Sequence, residues 1–537
     1  MTPKFRSVLV ALLGSAVLAG CQVIPEKQVG TDPTPNHNNT VKAQNRPSPE
    51  SGSDTLAKAE QPQSDLHNPG SDLWDLTRDH FALNLDQDNS RIDAQVKWFK
   101  KHPRYVDRVV KRASRYYHYI LHETIKRGMP AEIALLPIVE SAYDPFAYSH
   151  GRAAGAWQFI PSTGKHFGLK KTWWYDGRRD IVASTDAALT YLQQLHKRFD
   201  DWELALAAYN AGGGTVSLAM KKNRRKGKPT DFWSLQLPKE TTAYVPKLLA
   251  IAKVFDDPER YGITLQPLKN EPYFKEIATG SQIDLAQAAD LAGIDTQELY
   301  LLNPGFNRWA TDPTGPHRLL IPVDKVAQFE VKLAALPAEQ RVKWTRHKIK
   351  SGESLISIAK TYRTTVDVVR TANNITGNNI RAGKTLVVPT ASQHASAYVM
   401  SQAERLNRKQ EQIARRTNRQ KIKHTVKNGE SFWTISRKHK VGVRQLASWN
   451  NMAPGDPLMV GKTLVVWKDR KSTGSTASQG VIRKVGYTVR SGDSLSRIAT
   501  RFNVSVNNIV AWNGLERNNI LKPGQRLTLH VDVTQAN

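Results

Sequence analysis

Cysteine is nearly absent from this chain of 537 residues: Cys21 is the only one. A single cysteine excludes an intramolecular disulfide and any cysteine-based zinc site. Long apolar runs are also scarce. The run at residues 8–19 is too short to cross a bilayer comfortably, and no other is long enough. Acidic residues are in deficit, 48 Asp and Glu against 77 Lys and Arg, for a formal net charge of +29. Such a balance asks for an anionic partner: nucleic acid, a membrane surface or an acidic polymer. Hydrophobic residues make up only 39%. That suits modest cores joined by polar linkers, and the length calls for several domains. Metal-ligand sets are missing too. His118 and His122 have the i, i+4 spacing of a helical pair, but no third ligand accompanies them. Two exposed histidines are the better reading. The run Gly212-Gly213-Gly214 lacks the Lys-Ser/Thr that follows the glycines of a phosphate loop. Neither metal nor cofactor is expected.

The N-terminus decides among the anionic partners. Lys4 and Arg6 form a positive start, and Val8 to Ala19 is an apolar run too short to span a membrane comfortably. Residues 1–20 read as a signal peptide. Leu18-Ala19-Gly20-Cys21 resembles a bacterial lipobox, whose cysteine is acylated after cleavage. Lipidated Cys21 would hold the protein at a membrane face. Gln22 stands where an Asp would retain it at the inner membrane. By likeness to enterobacterial lipoproteins, that favours the outer membrane, facing the periplasm. An exported chain is a poor candidate for nucleic acid, so the positive charge is assigned to the cell envelope. Residues 24–70 are rich in Pro, Ser, Asn, Gln, Thr and Asp and cannot bury enough apolar surface to fold. A lipid-anchored disordered tether is therefore drawn over 21–85, with Trp74 the first sign of folded chain.

From 86 to 265 helical periodicity dominates. Val106, Val109, Val110, Ala113, Tyr117, Ile120 and Leu121 follow helical spacing. Further on the pattern changes and repeats. Ser351-Gly-Glu-Ser-Leu355, Asn428-Gly-Glu-Ser-Phe432 and Ser491-Gly-Asp-Ser-Leu495 open three units. At matched distances follow Ile358, Ile435 and Ile498, then Asn373, Asn450 and Asn513, and each unit closes with a glycine before a β-branched run, Gly383, Gly461 and Gly524. Each unit reads as βααβ, with strands at 347–350, 425–427 and 487–490 pairing with 385–388, 463–466 and 526–529. The Ser or Asp of each opening turn can cap the helix that follows. The units are placed at 345–390, 424–468 and 485–531. Between them lie a basic linker over 391–423, read as a solvated charged stretch, and a flexible Ser/Thr/Gly-rich linker over 469–482. Residues 270–325 echo the apolar pattern without the opening turn, which suggests a degenerate fourth unit.

Chemistry concentrates in the helical stretch. Pro130 suits the first turn of a helix, from which Ile133, Leu136 and Glu140 fall on one face. Glu140 thus continues an apolar stripe near a helix end that Pro145 must stop. Desolvation and the helix dipole should both raise its pKa, and a protonated carboxyl near neutrality is what glycosidic cleavage requires. Alone, Glu140 would be an ordinary surface carboxylate. Three more motifs change that weighting: Gly155-Ala-Trp-Gln158, Ala208-Tyr209-Asn210-Ala-Gly212 and Glu240-Thr-Thr-Ala-Tyr244-Val-Pro246. Gln158 supplies a donor and an acceptor for sugar amides and hydroxyls. Tyr209 could hydrogen-bond the acid or line the cleft, and Tyr244 lies one helical turn after Glu240. Asp144, beside Pro145, reads as a helix-end residue rather than a second catalytic carboxylate. Trp449 and Trp512 are read as packing the small repeat cores.

This set of motifs resembles the soluble lytic transglycosylases, with their goose-lysozyme-like fold. The repeats are similar to LysM modules, which bind N-acetylglucosamine-containing glycans. With the lipobox, the layout resembles the membrane-bound lytic murein transglycosylases. The expected fold class is therefore a mainly α lysozyme-like catalytic domain followed by small α+β LysM modules. The resemblance implies peptidoglycan glycan strands of GlcNAc and MurNAc as partner. It further implies that Glu140 protonates the bridging oxygen and then accepts the proton of the MurNAc C6 hydroxyl, giving a 1,6-anhydro product. Ser149 falls where the family has a serine that orients the N-acetyl group. Gln158, Tyr209, Asn210, Glu240 and Tyr244 are the remaining substrate-binding candidates. Ala156-Trp157 replaces the family's usual Leu-Met, so Trp157 is expected to alter a cleft wall. A lysozyme-like hydrolase using water, and a non-catalytic wall-binding lipoprotein, remain the alternatives.

Overall fold

The computed structural model describes residues 70–362, 364–469, 482–502, 504–516 and 521–532. Cys21, the lipobox and the tether up to residue 69 lie outside the described residues, as does most of the 469–482 linker. None of the described helices is long and apolar enough to cross a membrane. Two compact units are present. One runs to Arg416 and includes Lys421–Val466; the other comprises Thr417–Gln420 and the chain from Trp467 onward.

The first unit opens with a helical body. Its long helices are set by local signals. Asp180 accepts from the Ala183 amide at 2.9 Å to start Ile181–Phe199. Asp201 accepts from Leu204 at 2.7 Å to start Trp202–Ala211. Both are N-caps that satisfy otherwise orphaned amides. Lys239–Asp256 buries Val245, Leu248, Leu249 and Ile251 and packs against Trp202–Ala211 and Ser90–Lys100. The expected periodic stretch is two helices, Pro103–Ala113 and Tyr117–Lys126, and all seven apolar positions are buried. The tether ends sooner than drawn. Leu73–Asp79 is a helix whose Trp74 is buried and donates from Nε1 to the Gln266 carbonyl at 2.9 Å. Residues 73–85 therefore belong to the folded body.

The helical body is followed by βααβ modules, each closed by one two-stranded sheet. In the three repeats the first strand lies earlier than expected: Lys343–Lys348, Arg419–Thr425 and Ile482–Thr488. The cause is an acidic clamp. Glu353, Glu430 and Asp493 accept from the amides of Lys350, Lys427 and Arg490 at 2.8, 2.8 and 2.9 Å. That clamp folds the residues expected to extend the strand into the turn. Ser354, Ser431 and Ser494 cap the next helix.

The repeat asparagine holds each module together. Asn450 donates to the carbonyls of Leu446 and Val465, both at 2.8 Å, and accepts from the Val465 amide at 2.7 Å. Asn373 and Asn513 make the same three bonds to Val369 and Val387, and to Ile509 and Thr528. So does Asn303, to Leu299 and Leu320. Asn303 sits in the stretch where Phe274–Ala278, Leu285–Ala292, Thr296–Leu302 and Arg318–Pro322 form the same βααβ order without the Ser-Gly-Glu turn. This unit shares a core with the helical body through Trp174, Tyr175 and Phe306, and Arg115 pairs with Glu298 at 2.7 Å. Trp449 is buried in its module, and Trp512 is half-buried against His530.

The 391–423 stretch is not simply solvated. It carries the helix Gln402–Arg416. Arg405 lies 4.1 Å from the centre of the Phe146 ring, and burial pushes its pKa down to about 9.

Candidate active site

Glu140 reaches its position through a change of helix type. Ala131–Leu135 is a 3-10 turn and only Leu136–Ser141 is α-helical, so the expected single helix from Pro130 is two pieces. The apolar stripe survives, since Ile133 and Leu136 are fully buried. Beyond Ser141 the chain breaks sharply, with Ala142 and Tyr143 both at positive φ. Ser141 Oγ donates to the Ala156 carbonyl at 2.9 Å, which ties the end of the Glu140 helix to the Gly155–Gln158 loop. That loop depends on Gly155. At its φ of +83° a Cβ would stand 1.9 Å from the Arg178 carbonyl oxygen, closer than any side chain allows. Gln158 is itself left-handed, and its amide donates to the Gly155 carbonyl at 2.8 Å.

These elements surround an open cleft of about 720 Å³. Glu140, Ser149, Gln158, Tyr209, Asn210, Glu240 and Tyr244 all line it. The Tyr244 hydroxyl donates to Glu140 Oε1 in a very short hydrogen bond. Desolvation raises the Glu140 pKa to about 7, against the lowering effect of that bond; Glu240 raises it further and Lys247 lowers it. The neutral acid and the carboxylate are thus both accessible near neutral pH.

The geometry gives the other candidate residues their partners and corrects some of the readings. Tyr209 does not bond the acid; its hydroxyl donates to the Trp157 carbonyl at 2.9 Å. Trp157 forms no cleft wall. It is fully buried, with Nε1 donating to Thr185 Oγ1 at 2.9 Å. Asn210 accepts from Thr241 Oγ1 at 2.8 Å, fixing its amide at the junction of two helices. Ser149 Oγ accepts from the Ala153 amide at 3.0 Å and so shapes its own loop. Gly212 alone makes the turn after the Asn210 helix, since Gly213–Arg224 is already helical. His122 bonds Asn270 at 2.8 Å. Among the described residues no group of three or more His, Cys, Asp and Glu is placed to hold a metal ion. Asp144 caps a turn through the Phe146 amide at 2.9 Å and lies outside the cleft lining.

Two contributors escaped sequence reading. Lys247, at the middle of the Lys239–Asp256 helix, lines the cleft with its own pKa lowered by burial. Its spacing of three from Tyr244 was the available signal. Arg178 is buried, pairs with Asp176 at 2.7 Å and donates to the carbonyls of Arg152 and Phe159 at 2.7 and 3.1 Å. It braces both sides of the Gly155 loop, and nothing local in the sequence marks it.

A helical body with one desolvated carboxyl in an open cleft, continued by βααβ modules, has the layout of a transglycosylase with LysM domains. The corresponding family models match: Transglycosylase SLT domain at 119–232, the LysM-like domain of lytic transglycosylase MltD at 273–338, and LysM domain at 347–389, 424–467 and 487–529. Membrane-bound lytic murein transglycosylase D of Escherichia coli (strain K12) is 36% identical over 409 residues, covering 73% of this chain and 85% of that protein. This chain belongs to the membrane-bound lytic murein transglycosylase D family. A putative tributyltin chloride resistance protein of Alteromonas sp. (strain M-1) is 42% identical over 139 residues, covering 26% of this chain and 63% of that one. A crystal structure of lytic transglycosylase Slt from Pseudomonas aeruginosa aligns at 26% identity over 26% of this chain and 24% of that chain, with a TM-score of 0.20.

Proposed function

We propose that this enzyme cleaves the β-1,4 bond between MurNAc and GlcNAc in peptidoglycan, with Glu140 acting first as acid and then as base. The carrying observation is a single desolvated carboxyl, bonded by Tyr244, on the wall of a cleft open enough for a polymer. Protonated Glu140 donates to the bridging oxygen as the glycosidic bond breaks. The substrate's own N-acetyl group stabilises the oxocarbenium-like centre, since the other carboxylate in the lining, Glu240, is exposed. Glu140, now ionised, takes the proton from the MurNAc C6 hydroxyl as that oxygen closes onto C1. Tyr244 donates to the carboxylate and stabilises its charged interval. Ser149 orients the N-acetyl group, while Gln158, Asn210 and Tyr209 shape the sugar subsites.

Around this centre the chain is organised as a signal peptide over 1–20, a lipidated Cys21, a tether, the catalytic body and the wall-binding modules. Acylation at Cys21 would place the enzyme on the outer membrane, facing the wall. Mass spectrometry of products from purified sacculi tests the chemistry. Anhydro-MurNAc ends are expected; reducing MurNAc ends would convict a hydrolase instead. Glu140→Gln should abolish cleavage while leaving sacculus binding intact.

A further inference from the structure

The second LysM repeat makes a contact that its sister repeats are not built to make. Asp456, in the loop before its closing strand, accepts from the Tyr148 hydroxyl at 2.9 and 3.0 Å and pairs with Arg152 Nε at 2.9 Å. Its carboxylate is only 12% exposed. Five residues before the closing glycine, the first and third repeats carry Asn378 and Asn519, and only the second carries an acid. Asp456 also accepts from the Ala453 amide at 2.8 Å, so both carboxylate oxygens are used. An amide has one acceptor. With that oxygen kept on the Ala453 amide, its NH2 would face Arg152 as a second donor and offer no charge to pair with it.

Tyr148 and Arg152 flank the segment that enters the cleft: Ser149, His150 and Gly151 all line it. The segment is held in an unfavourable shape. Arg152 sits at φ +70°, a region that non-glycine residues rarely adopt. The loop closes on itself through Ser149 and Ala153, and Arg178 grips the Arg152 carbonyl from within the catalytic body. Asp456 grips the outer side. A second anchorage fixes the repeat in place, independently of Asp456. The linker helix docks Arg405 on Phe146, and its Lys409 reaches Ser448 of the repeat at 3.4 Å.

We infer that the second LysM repeat is part of the catalytic apparatus, with Asp456 a positioning residue that holds the Ser149 loop in its substrate-binding shape. The inference rests on the assignment of the Glu140 cleft as the sugar site. A repeat that only tethers the enzyme to the wall would change sacculus binding when altered, and leave the handling of a short soluble glycan unchanged. Asp456 acts in the reverse sense.

The test uses the full chain and a soluble GlcNAc–MurNAc oligomer. Asp456→Asn, which installs the sister repeats' residue, should raise KM about five- to thirty-fold, the effect of losing the Arg152 ion pair and the charge behind the Tyr148 hydrogen bond. The value of kcat should stay within about twofold and sacculus pull-down should match wild type. The pair Tyr148→Phe with Arg152→Ala should give a similar rise. Adding Asp456→Asn to that pair should change nothing further, as expected for groups acting through one contact. An unchanged KM in Asp456→Asn overturns the inference, as does full additivity in the triple variant. Glu140→Gln, assayed in parallel, separates the two readings. If it retains turnover, the cleft assignment falls; if it is inactive while Asp456→Asn behaves as wild type, only the positioning role falls.

Discussion

Glu140 carries opposite consequences for rate and for stability. Its pKa is raised by desolvation from 4.5 to about 7. Catalysis needs the protonated form, so kcat/KM should fall as pH rises above about 7, which a pH-rate profile on soluble glycan will read. A group whose folded pKa exceeds its unfolded value contributes its full share of stability only below the unfolded pKa. That share is lost as pH rises from 4.5 to about 7. Glu140→Gln removes the titration and should therefore melt higher than wild type at pH 7.5 and equally at pH 4. The gain is at most about 3 kcal/mol, reduced by the water that reaches the cleft. Tyr244→Phe removes the hydrogen bond that favours the ionised acid. The basic limb of the profile should move upward and the rate fall by about ten- to a hundred-fold. At this scale the sequence was informative about which residues meet and less so about what they bond. Tyr209 was legible as a cleft residue, but its bond to a backbone carbonyl depends on a loop 52 residues away. Trp157 misled because its neighbour Gln158 faces the cleft. A left-handed residue there turns the two side chains apart.

Turns decide the elements. Gly155→Ala would drive a Cβ into the Arg178 carbonyl, so the loop must move or the variant must unfold in part. A loss of about 2–3 kcal/mol in stability is expected by thermal melting, with cleavage reduced at temperatures where the variant remains folded. The repeats offer a parallel case. Asn450→Ala deletes three hydrogen bonds inside one small module and leaves a buried amide and two carbonyls without partners. Such a change costs roughly 2–4 kcal/mol. It should appear as faster amide exchange confined to residues 424–468. The βααβ order was legible because two spacings shared by all three units leave little freedom. The strand bounds were not, because β-branched content does not reveal that Glu353 and Glu430 seize a backbone amide three residues upstream. Nor did composition reveal the role of the 391–423 stretch. A run of arginines reads as solvated unless an aromatic partner is known, and Phe146 lies more than 250 residues away in sequence.

Across the whole molecule, the modules differ in what they should contribute. Ending the chain after residue 469 removes the third repeat alone. Binding to sacculi should weaken several-fold, while KM on a short soluble glycan stays as in wild type. Deleting 342–537 should weaken sacculus binding further and, by removing Asp456 as well, raise the soluble-glycan KM. A truncation series assayed by pull-down and initial rates distinguishes these outcomes. The tether and the lipobox are readings of composition and signal pattern alone, from low apolar content and a lone cysteine, and they lie outside the described residues.

The asparagine clamp has a consequence for how such chains diversify. Asn303 keeps all three of its bonds in a unit that has no Ser-Gly-Glu opening. The determinant of folding and the opening turn are thus separable parts of the module. A duplicated copy can lose the turn, keep the amide, and bury its freed surface against a neighbour. The 273–338 unit shows that combination: it keeps the clamp, lacks the turn and packs Phe306 against Tyr175 of the helical body.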